Sequence, residues 1–134
     1  MEITTGVDII EVDRIKEAIL ENGEKFLYTV YTENEIEYCE KADNKNVKYQ
    51  RYAARFAAKE AIYKAISNYV ERPSLVLLTK MEILKEENNR PIVNIDMIRE
   101  TIEFKDGVKP LKSMDISLSH IKDYAIANVV ATFE

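Results

Sequence analysis

The sequence has one cysteine, no tryptophan, three glycines and three prolines among 134 residues. It therefore has few of the cysteines, glycines and prolines on which disulfide-rich and collagen-like chains depend. Its single cysteine, Cys39, cannot form an intramolecular disulfide, which excludes a disulfide-stapled scaffold and favours a reducing compartment such as the cytoplasm. Hydrophobic residues make up 46% and charged residues 32% of the chain, which excludes disordered and collagen-like classes. We expect a single domain spanning residues 1–134.

The charge and hydropathy of the chain also limit its partners. A formal net charge of −5 provides no global basic field for nucleic acid. No stretch approaches the roughly 20 apolar residues of a membrane span, and the N-terminus lacks the basic and apolar regions of a secretory signal. We therefore expect neither nucleic acid nor membrane as a partner, and an acidic partner would have to bind a local basic patch.

The most extended helical pattern runs from about Val47 to Tyr69. This segment contains no glycine or proline and is rich in alanine and other strong helix formers. Its apolar residues lie on almost every side, which is typical of a helix packed in the middle of a domain. It is predicted to be the central helix.

Shorter elements surround this helix. Asp13 and Asp96 are predicted to cap helices, Thr32 and Glu35 form a capping box for another, and residues 43–46 are predicted to form a loop. Extended segments are predicted at residues 3–10, 81–84, 92–95, 114–120 and 124–133. Because helices and strands are mixed rather than strictly alternating, we predict an α+β fold in which the central helix packs on a mainly antiparallel sheet.

Three charged side chains are candidates for chemistry. Glu60 and Lys64 share one face of the central helix, and Asp8 ends an apolar strand. If that strand lies along the helix, the two carboxylates converge on a site suited to Mg²⁺, and the lysine can neutralise phosphate charge. The simpler alternatives are a solvated i,i+4 pair for Glu60 and Lys64 and a turn or capping role for Asp8. If Glu60 is half-buried, Lys64 is its natural partner, and a bound metal would serve equally well.

The end of the strand at 116–120 carries further candidates. His120 is the only histidine, and Ser117 and Ser119 share one face of the strand, where they are able to contact phosphate. A hydrogen-bonded structural histidine and a solvent-facing strand account for the same pattern. Cys39 is predicted to be a buried structural thiol.

Four segments of the chain have the residues and order of one enzyme family. They are Gly6-Val7-Asp8-Ile9-Ile10-Glu11-Val12-Asp13-Arg14-Ile15, Thr32-x-x-Glu35-x-x-Tyr38-Cys39, Arg51-Tyr52-Ala53-Ala54-Arg55-Phe56-Ala57-Ala58-Lys59-Glu60-Ala61-Ile62-Tyr63-Lys64-Ala65 and Ile116-Ser117-Leu118-Ser119-His120. In these segments the chain resembles the holo-[acyl-carrier-protein] synthases, the short class of 4′-phosphopantetheinyl transferases. The resemblance extends over essentially the whole chain.

One segment departs from the family pattern. After Lys64-Ala65 the family usually has a glycine-rich turn, whereas Ile66-Ser67-Asn68-Tyr69-Val70 follows here, and the family's usual tryptophan is missing. Asn68 is expected to supply the positive φ of the missing glycine. The departure affects local contacts to coenzyme A and leaves the predicted metal residues intact.

The resemblance implies transfer of 4′-phosphopantetheine from coenzyme A to a serine of apo acyl carrier protein in fatty acid biosynthesis, with release of adenosine 3′,5′-bisphosphate. Asp8 and Glu60 would hold Mg²⁺, and Lys64 would neutralise the diphosphate of coenzyme A. Glu60 and Lys64 would be the catalytic residues, with either Glu60 or a water as the base. Contacts to the nucleotide part of coenzyme A would come from Arg55, Ser119 and His120.

The resemblance also implies partners. The family is typically a homotrimer with active sites between subunits, and its carrier protein is acidic. Because this chain is itself net negative, docking would use a local patch formed by Arg14 and Lys16, with Lys25 as an addition. The alternative for all three is the solvated face of an amphipathic helix, which explains Lys16 and Lys25 equally well.

Two other functions fit the same residues. One is a different Mg²⁺-dependent phosphoryl or nucleotidyl transferase that uses the same carboxylates and lysine. The other is a carrier-protein-binding module that kept the scaffold and lost the activity, an interpretation prompted by the missing glycine turn. The intact Asp8, Glu60 and Lys64 argue against this loss.

Overall fold

The computed structural model describes residues 1–85 and 88–134. Its helices are α1 (Val12–Asn22), α2 (Glu24–Val30), α3 (Glu33–Glu40), α4 (Lys45–Ile66) and α5 (Ile95–Thr101). Its strands are β1 (Glu2–Glu11), β2 (Ile83–Lys85), β3 (Pro91–Val93), β4 (Leu111–His120) and β5 (Tyr124–Phe133). Short 3-10 helices at Ser67–Tyr69 and Leu75–Lys80 follow α4. These elements confirm the predicted α+β fold.

A three-stranded antiparallel sheet in the order β1-β5-β4 carries the central helix. The strand β5 alternates strictly, and its small residues Ala125, Ala127 and Ala131 are fully buried on the face covered by α4. Small side chains let a helix approach a sheet closely, so α4 lies against β1 and β5 and is buried over most of its length. The prediction of a central helix on an antiparallel sheet is confirmed. The hairpin of β2 and β3 forms a second, smaller sheet.

Gly6 explains how closely β1 approaches the helix. A Cβ atom at this position would overlap the carbonyl oxygen of Ala61, so no larger residue fits without a shift of the backbone. The contact fixes the distance between β1 and α4 two residues before Asp8. The strand thereby delivers the Asp8 side chain to the helix.

The opposite face of the sheet is uncovered in the single chain. It carries a group of exposed apolar side chains from β1 and β5, namely Ile3, Val7, Ile9, Tyr124, Ile126 and Val130. Ile9 pairs directly with Ile126, and Thr5 pairs with Val130, so these residues form one continuous surface. We call it the outer sheet face.

Two predicted helix caps are wrong. Asp13 and Asp96 lie inside the first turns of α1 and α5 rather than before them. The helix α1 already starts at Val12, and the side chain of Asn94 caps α5 by accepting a hydrogen bond from the Met97 N–H at 3.2 Å. An acidic residue is favourable in a first turn as well as at a cap, so the sequence pattern does not separate the two positions.

Two other local predictions differ from the structure. The loop predicted at residues 43–46 ends early, because Asn44 caps α4 through the Val47 N–H at 2.9 Å and Lys45 begins the helix. Asn68 does not adopt the predicted positive φ but lies within the 3-10 helix Ser67–Tyr69. The helix therefore ends by tightening into a 3-10 turn, which does not require a glycine.

The predicted capping box and structural thiol are both confirmed. Thr32 accepts a hydrogen bond from the Glu35 N–H, and the Glu35 carboxylate accepts one from the Thr32 N–H. Cys39, on α3, is fully buried, and burial raises the pKa of its thiol to about 12. Among the described residues, every helix is too short or too polar to cross a bilayer.

Candidate active site

Asp8 and Lys64 meet where β1 passes α4. The Lys64 ammonium lies 3.3 Å from the Asp8 carboxylate and donates a hydrogen bond to the Val7 carbonyl oxygen at 2.9 Å. The Asp8 side chain is largely covered, whereas Lys64 remains 53% exposed. The lysine is therefore anchored at its base and open to a ligand at the surface.

Glu60 lies one helical turn before Lys64 and is half-buried. Burial raises the pKa of Glu60 above its usual value, the nearby Asp8 carboxylate raises it further, and Lys64 lowers it. Two carboxylates and one lysine thus share a small region with a net negative charge. We call this group the acidic half-site.

The partner predicted for Glu60 is wrong. Lys64 makes its ion pair with Asp8, while no ion pair between Lys64 and Glu60 is found in the described part of the chain. The reason is geometric, because the close approach at Gly6 brings a β1 carboxylate and carbonyl to the lysine. Glu60 is left facing its like-charged neighbour, an arrangement that a cation would stabilise.

The acidic half-site suits Mg²⁺ by its chemistry. The region supplies two carboxylates, and within residues 1–85 and 88–134 no cluster of three or more His, Cys, Asp or Glu side chains is arranged for a metal. Mg²⁺ is commonly bound by one or two carboxylates, with water and substrate phosphate as its other ligands. Asp8 and Glu60 match that donor set.

A second group of functional side chains surrounds Tyr38. The Arg55 and Arg51 guanidinium groups lie 4.0 Å and 4.3 Å from the centre of its ring, and the Lys85 ammonium lies 5.1 Å from it. Together with His120 these residues line a cavity of about 190 Å³ at the β4 edge of the sheet. We call this group the cationic half-site.

Arg55 is the central residue of the cationic half-site. Only 5% of this residue is exposed, and its Nε has no hydrogen-bond partner among the described residues. A buried donor without an acceptor is costly, and a guanidinium is well matched to phosphate or carboxylate oxygens. The cavity therefore has the properties of an anion-binding site with an aromatic wall.

The two half-sites lie on opposite sides of α4. Arg55 and Lys64 are nine residues apart, which rotates one side chain about 180° from the other around the helix axis. In the sheet, Asp8 belongs to the β1 edge and His120 to the β4 edge, with β5 between them. Lys64 and Arg55, both predicted to contact coenzyme A, are therefore separated by the helix in a single chain.

The remaining predicted residues are placed as follows. Ser119 is exposed and pairs with Ile126, so it belongs to the outer sheet face rather than to the cavity with His120. On α1, Arg14 and Lys16 are both exposed but about 200° apart, on the two flanks of the buried Ile15. The Lys16 ammonium lies 5.6 Å from the Tyr49 ring.

Sequence reasoning missed several residues in and beside the candidate site. Tyr38, Arg51 and Lys85 received no role, although the i,i+4 spacing of Arg51 and Arg55 was a signal for a shared helix face. Lys59 was also missed. Its ammonium is fully buried and pairs with the Glu35 carboxylate at 2.7 Å.

Comparison with known proteins agrees with these features. The model of the 4′-phosphopantetheinyl transferase superfamily matches residues 4–129. The chain is 45% identical to the holo-[acyl-carrier-protein] synthase of Ruminiclostridium cellulolyticum over 97% of its own length and 92% of the relative's. It is 39% identical to that of Dehalococcoides mccartyi, with 95% and 96% of the two chains covered.

The fold also matches solved structures of holo-[acyl-carrier-protein] synthases. The crystal structure of Helicobacter pylori holo-[acyl-carrier-protein] synthase in complex with coenzyme A matches with a TM-score of 0.72 and 26% identity, covering 96% of this chain and 99% of that one. A Chronobacterium ammoniagenes ACPS-CoA complex matches with a TM-score of 0.78 at 23% identity, over 100% and 99% of the two chains, and supports the fold.

The fold, the acidic half-site and these matches define the class of protein. The chain belongs to the 4′-phosphopantetheinyl transferase superfamily and, within it, to the holo-[acyl-carrier-protein] synthase family. It is an enzyme, a phosphopantetheinyl transferase, and the family resemblance of its sequence is confirmed.

Proposed function

We propose that the enzyme transfers 4′-phosphopantetheine from coenzyme A to a serine of apo acyl carrier protein, with Mg²⁺ as cofactor and adenosine 3′,5′-bisphosphate as the second product. The observation that carries this proposal is the acidic half-site, in which Asp8, Glu60 and Lys64 come together at the β1 edge of α4. Relatives of the same length carry the name of this activity. The reaction would serve fatty acid biosynthesis in the cytoplasm, where the unpaired Cys39 is compatible with reducing conditions.

In this proposal Asp8 and Glu60 hold the metal. Bound there, Mg²⁺ would supply charge neutralisation at the diphosphate of coenzyme A. Lys64, anchored by Asp8 and by the Val7 carbonyl, points an ammonium into solvent at the same place and binds the diphosphate. The proton of the attacking serine is accepted by Glu60, whose pKa is raised by burial, or by a water molecule.

The nucleotide part of coenzyme A is assigned to the cationic half-site. Arg55, with its unpartnered Nε among the described residues, and His120 line the cavity, and Arg51 and Lys85 add positive charge. Phosphate groups are bound strongly by clustered guanidinium and ammonium groups. Ser119 lies on the outer sheet face, so its proposed contact to coenzyme A would be made on that face and outside the cavity.

Both half-sites can contact one coenzyme A molecule only if they come from different subunits. Because α4 separates Lys64 from Arg55 within a chain, we propose that the β1 edge of one subunit meets the β4 edge of the next in a homotrimer. The outer sheet face supports this assembly, since Ile9, Ile126 and Val130 leave an apolar surface exposed in the monomer. Each active site would then combine the acidic half-site of one copy with the cationic half-site of its neighbour.

The carrier protein is proposed to dock on α1. Arg14 is exposed and free to meet an acidic surface, whereas Lys16 lies over Tyr49 and offers less to a partner. Lys25 is exposed on the neighbouring helix α2 and is proposed as an additional positive charge for the carrier protein. Because Arg14 and Lys16 lie on two flanks of α1, the proposed docking centres on Arg14.

The decisive experiment is a mass-shift assay on apo acyl carrier protein. Incubation with coenzyme A and Mg²⁺ is expected to add one phosphopantetheine to the carrier protein, and a chelator is expected to abolish the product. The Glu60→Ala variant should fold and show no product. Full turnover by this variant would contradict the metal assignment, and an unmodified carrier protein with the wild-type enzyme would contradict the proposed function.

A further inference from the structure

Helices α3 and α4 are joined by a ladder of polar contacts. Glu35 and Tyr38 are three residues apart on α3 and share one of its faces. Lys59, Arg55 and Arg51 are spaced by four residues on α4 and share a face there. The two faces oppose each other, so that successive residues of one helix contact successive residues of the other.

The innermost contact of the ladder is a buried ion pair. Lys59 is 0% exposed and Glu35 is 1% exposed. The ammonium lies 2.7 Å from the Glu35 carboxylate and donates to the carbonyl oxygens of Leu78 at 2.8 Å and Met81 at 3.2 Å. The three hydrogens of the ammonium therefore all have acceptors.

Glu35 extends this contact to the hairpin. Its second carboxylate oxygen accepts a hydrogen bond from the Ile83 N–H at 2.9 Å, at the start of β2. Lys85, at the end of the same strand, lies over Tyr38. One ion pair thus sets the relative positions of α3, α4 and β2.

The outer contacts of the ladder form the cationic half-site. The Arg55 guanidinium lies over the Tyr38 ring, and Arg51 donates a hydrogen bond to the Tyr38 carbonyl oxygen at 2.8 Å. Neither Glu35 nor Lys59 lines the cavity. They lie one helical turn behind the residues that do.

A buried ion pair is a poor device for stability alone. Removing two charges from water costs about as much as their attraction returns, and well-packed apolar residues often stabilise a core equally well. An ion pair differs from an apolar contact in requiring one orientation of its partners. The ion pair therefore acts by fixing the relative positions of the side chains around it, here Tyr38, Arg55 and Lys85.

We propose that Glu35 and Lys59 are positioning residues for the nucleotide subsite of coenzyme A. The ion pair aligns α3, α4 and β2 so that the Arg55 guanidinium is aimed at phosphate. This inference rests on the assignment of the nucleotide to the cationic half-site. It predicts that breaking the ion pair weakens donor binding without altering the acidic half-site.

The test compares coenzyme A with dephospho-coenzyme A, which lacks the 3′-phosphate. The wild-type enzyme is expected to prefer coenzyme A in kcat/KM by at least about tenfold, the effect of a charge-assisted phosphate contact. The Glu35→Gln variant should raise the KM for coenzyme A by about tenfold with a much smaller change in kcat, and most of the preference should disappear. The double variant Glu35→Gln/Lys59→Met removes both charges of the pair, while the neighbouring buried Glu82 keeps its hydrogen bonds from Thr32 and Asn94, and it should show the same loss if the single variant folds poorly.

The matched control is Ile98→Ala, a destabilising change at a fully buried residue of α5. At a temperature where it is folded, this variant should keep the wild-type donor preference. The inference is overturned if the ion-pair variants also keep that preference, or lose kcat equally with both donors. A wild-type enzyme that uses both donors equally overturns the nucleotide assignment together with this inference, whereas one that modifies no carrier protein overturns the proposed function itself.

Discussion

The two sides of α4 differ in charge, in burial and in how they are held. At the β1 edge, the acidic half-site crowds Asp8 and Glu60 together with only Lys64 to offset them. At the β4 edge, the cationic half-site gathers two arginines, a lysine and a histidine around one aromatic ring. The first side attracts a divalent cation, and the second attracts an anion.

Because of this difference, the signature segment of a single chain does not bring all of its charged residues to one place. Arg55, Glu60 and Lys64 are close in sequence, yet the helix turns Arg55 away from the other two. In the proposed reaction, the diphosphate of coenzyme A contacts one side and its nucleotide phosphate contacts the other, so the donor would need both sides. The opposite placement of the half-sites is therefore the structural reason to expect neighbouring copies to share each active site.

The largest effect is expected from Glu60→Gln, which removes a carboxylate from the acidic half-site. Activity in the mass-shift assay should fall on the order of 1,000-fold, because the loss affects a group that is proposed to hold the metal. Binding of adenosine 3′,5′-bisphosphate at the cationic half-site should change little, as measured by calorimetry. A loss of nucleotide binding equal to the loss of activity would contradict the division into half-sites.

The Glu60→Gln variant should also change the thermal stability of the protein. The pKa of Glu60 is higher in the folded chain than in the unfolded chain, so protonated Glu60 adds to the free energy of unfolding. This contribution is fully present below the unfolded-state pKa and is lost as the pH rises through the folded-state pKa. Ionisation of Glu60 therefore costs more free energy in the folded chain than in the unfolded chain. Glu60→Gln is therefore expected to keep or raise the melting temperature at pH 7 in calorimetry without metal, and a clear decrease would contradict this account.

The next largest effect is expected from a charge on the outer sheet face. Ile126→Lys places an ammonium in the middle of the apolar surface, which should separate the subunits and lower activity by about 100-fold through loss of the composite site. Light scattering after gel filtration measures the assembly. The control Val76→Lys changes an apolar residue that is 69% exposed on the 3-10 helix Leu75–Lys80, and it should leave the assembly intact.

Mixing two inactive variants tests whether the two half-sites of one active site come from different copies. Glu60→Gln damages only the acidic half-site, and Arg55→Ala damages only the cationic one. If each active site draws its halves from two copies, subunits mixed at random in equal amounts should recover about a quarter of wild-type activity, since both intact halves meet at one site in four. Sites confined to single chains would recover no activity on mixing.

The smallest effect is expected at the docking patch. Arg14→Ala should raise the KM for carrier protein by about three- to tenfold and leave the KM for coenzyme A unchanged, because an exposed charge mainly affects encounter. Lys16→Ala, at a residue already engaged with Tyr49, should have a smaller effect. The result would reverse the assignment if Lys16→Ala were the more damaging change in steady-state kinetics.

The fold was largely predictable because its signals are local. The apolar pattern of α4, the capping box before α3 and the alternation along β4 and β5 each depend on neighbouring residues. The wrong caps at Asp13 and Asp96 arose where two adjacent positions favour the same residue types. The convergence of Asp8 with Glu60 was also predictable, because a strand beside the central helix leaves few alternatives.

The missing parts of the site depend on distant residues. Helical spacing favoured Lys64 as the partner of Glu60. The close contact at Gly6 instead brings Asp8 to Lys64, and these two residues form the ion pair. Glu35 and Lys59 are 24 residues apart, and no local sequence pattern predicts that this lysine is buried. The separation of Arg55 from Lys64 follows from helix geometry. That the two residues belong to different half-sites follows only from the sheet order, which puts β1 and β4 at opposite edges.

Cys39 has a practical consequence for work with this enzyme. The donor and the modified carrier protein both end in a free sulfhydryl, which is a hazard for any catalyst with a reactive cysteine. Here the only sulfur nucleophile of the chain is sealed in the core with a pKa of about 12, so almost none of it is ionised at neutral pH. The native enzyme should form no mixed disulfides with its ligands, and colourimetric thiol reagents should report the pantetheine arm alone.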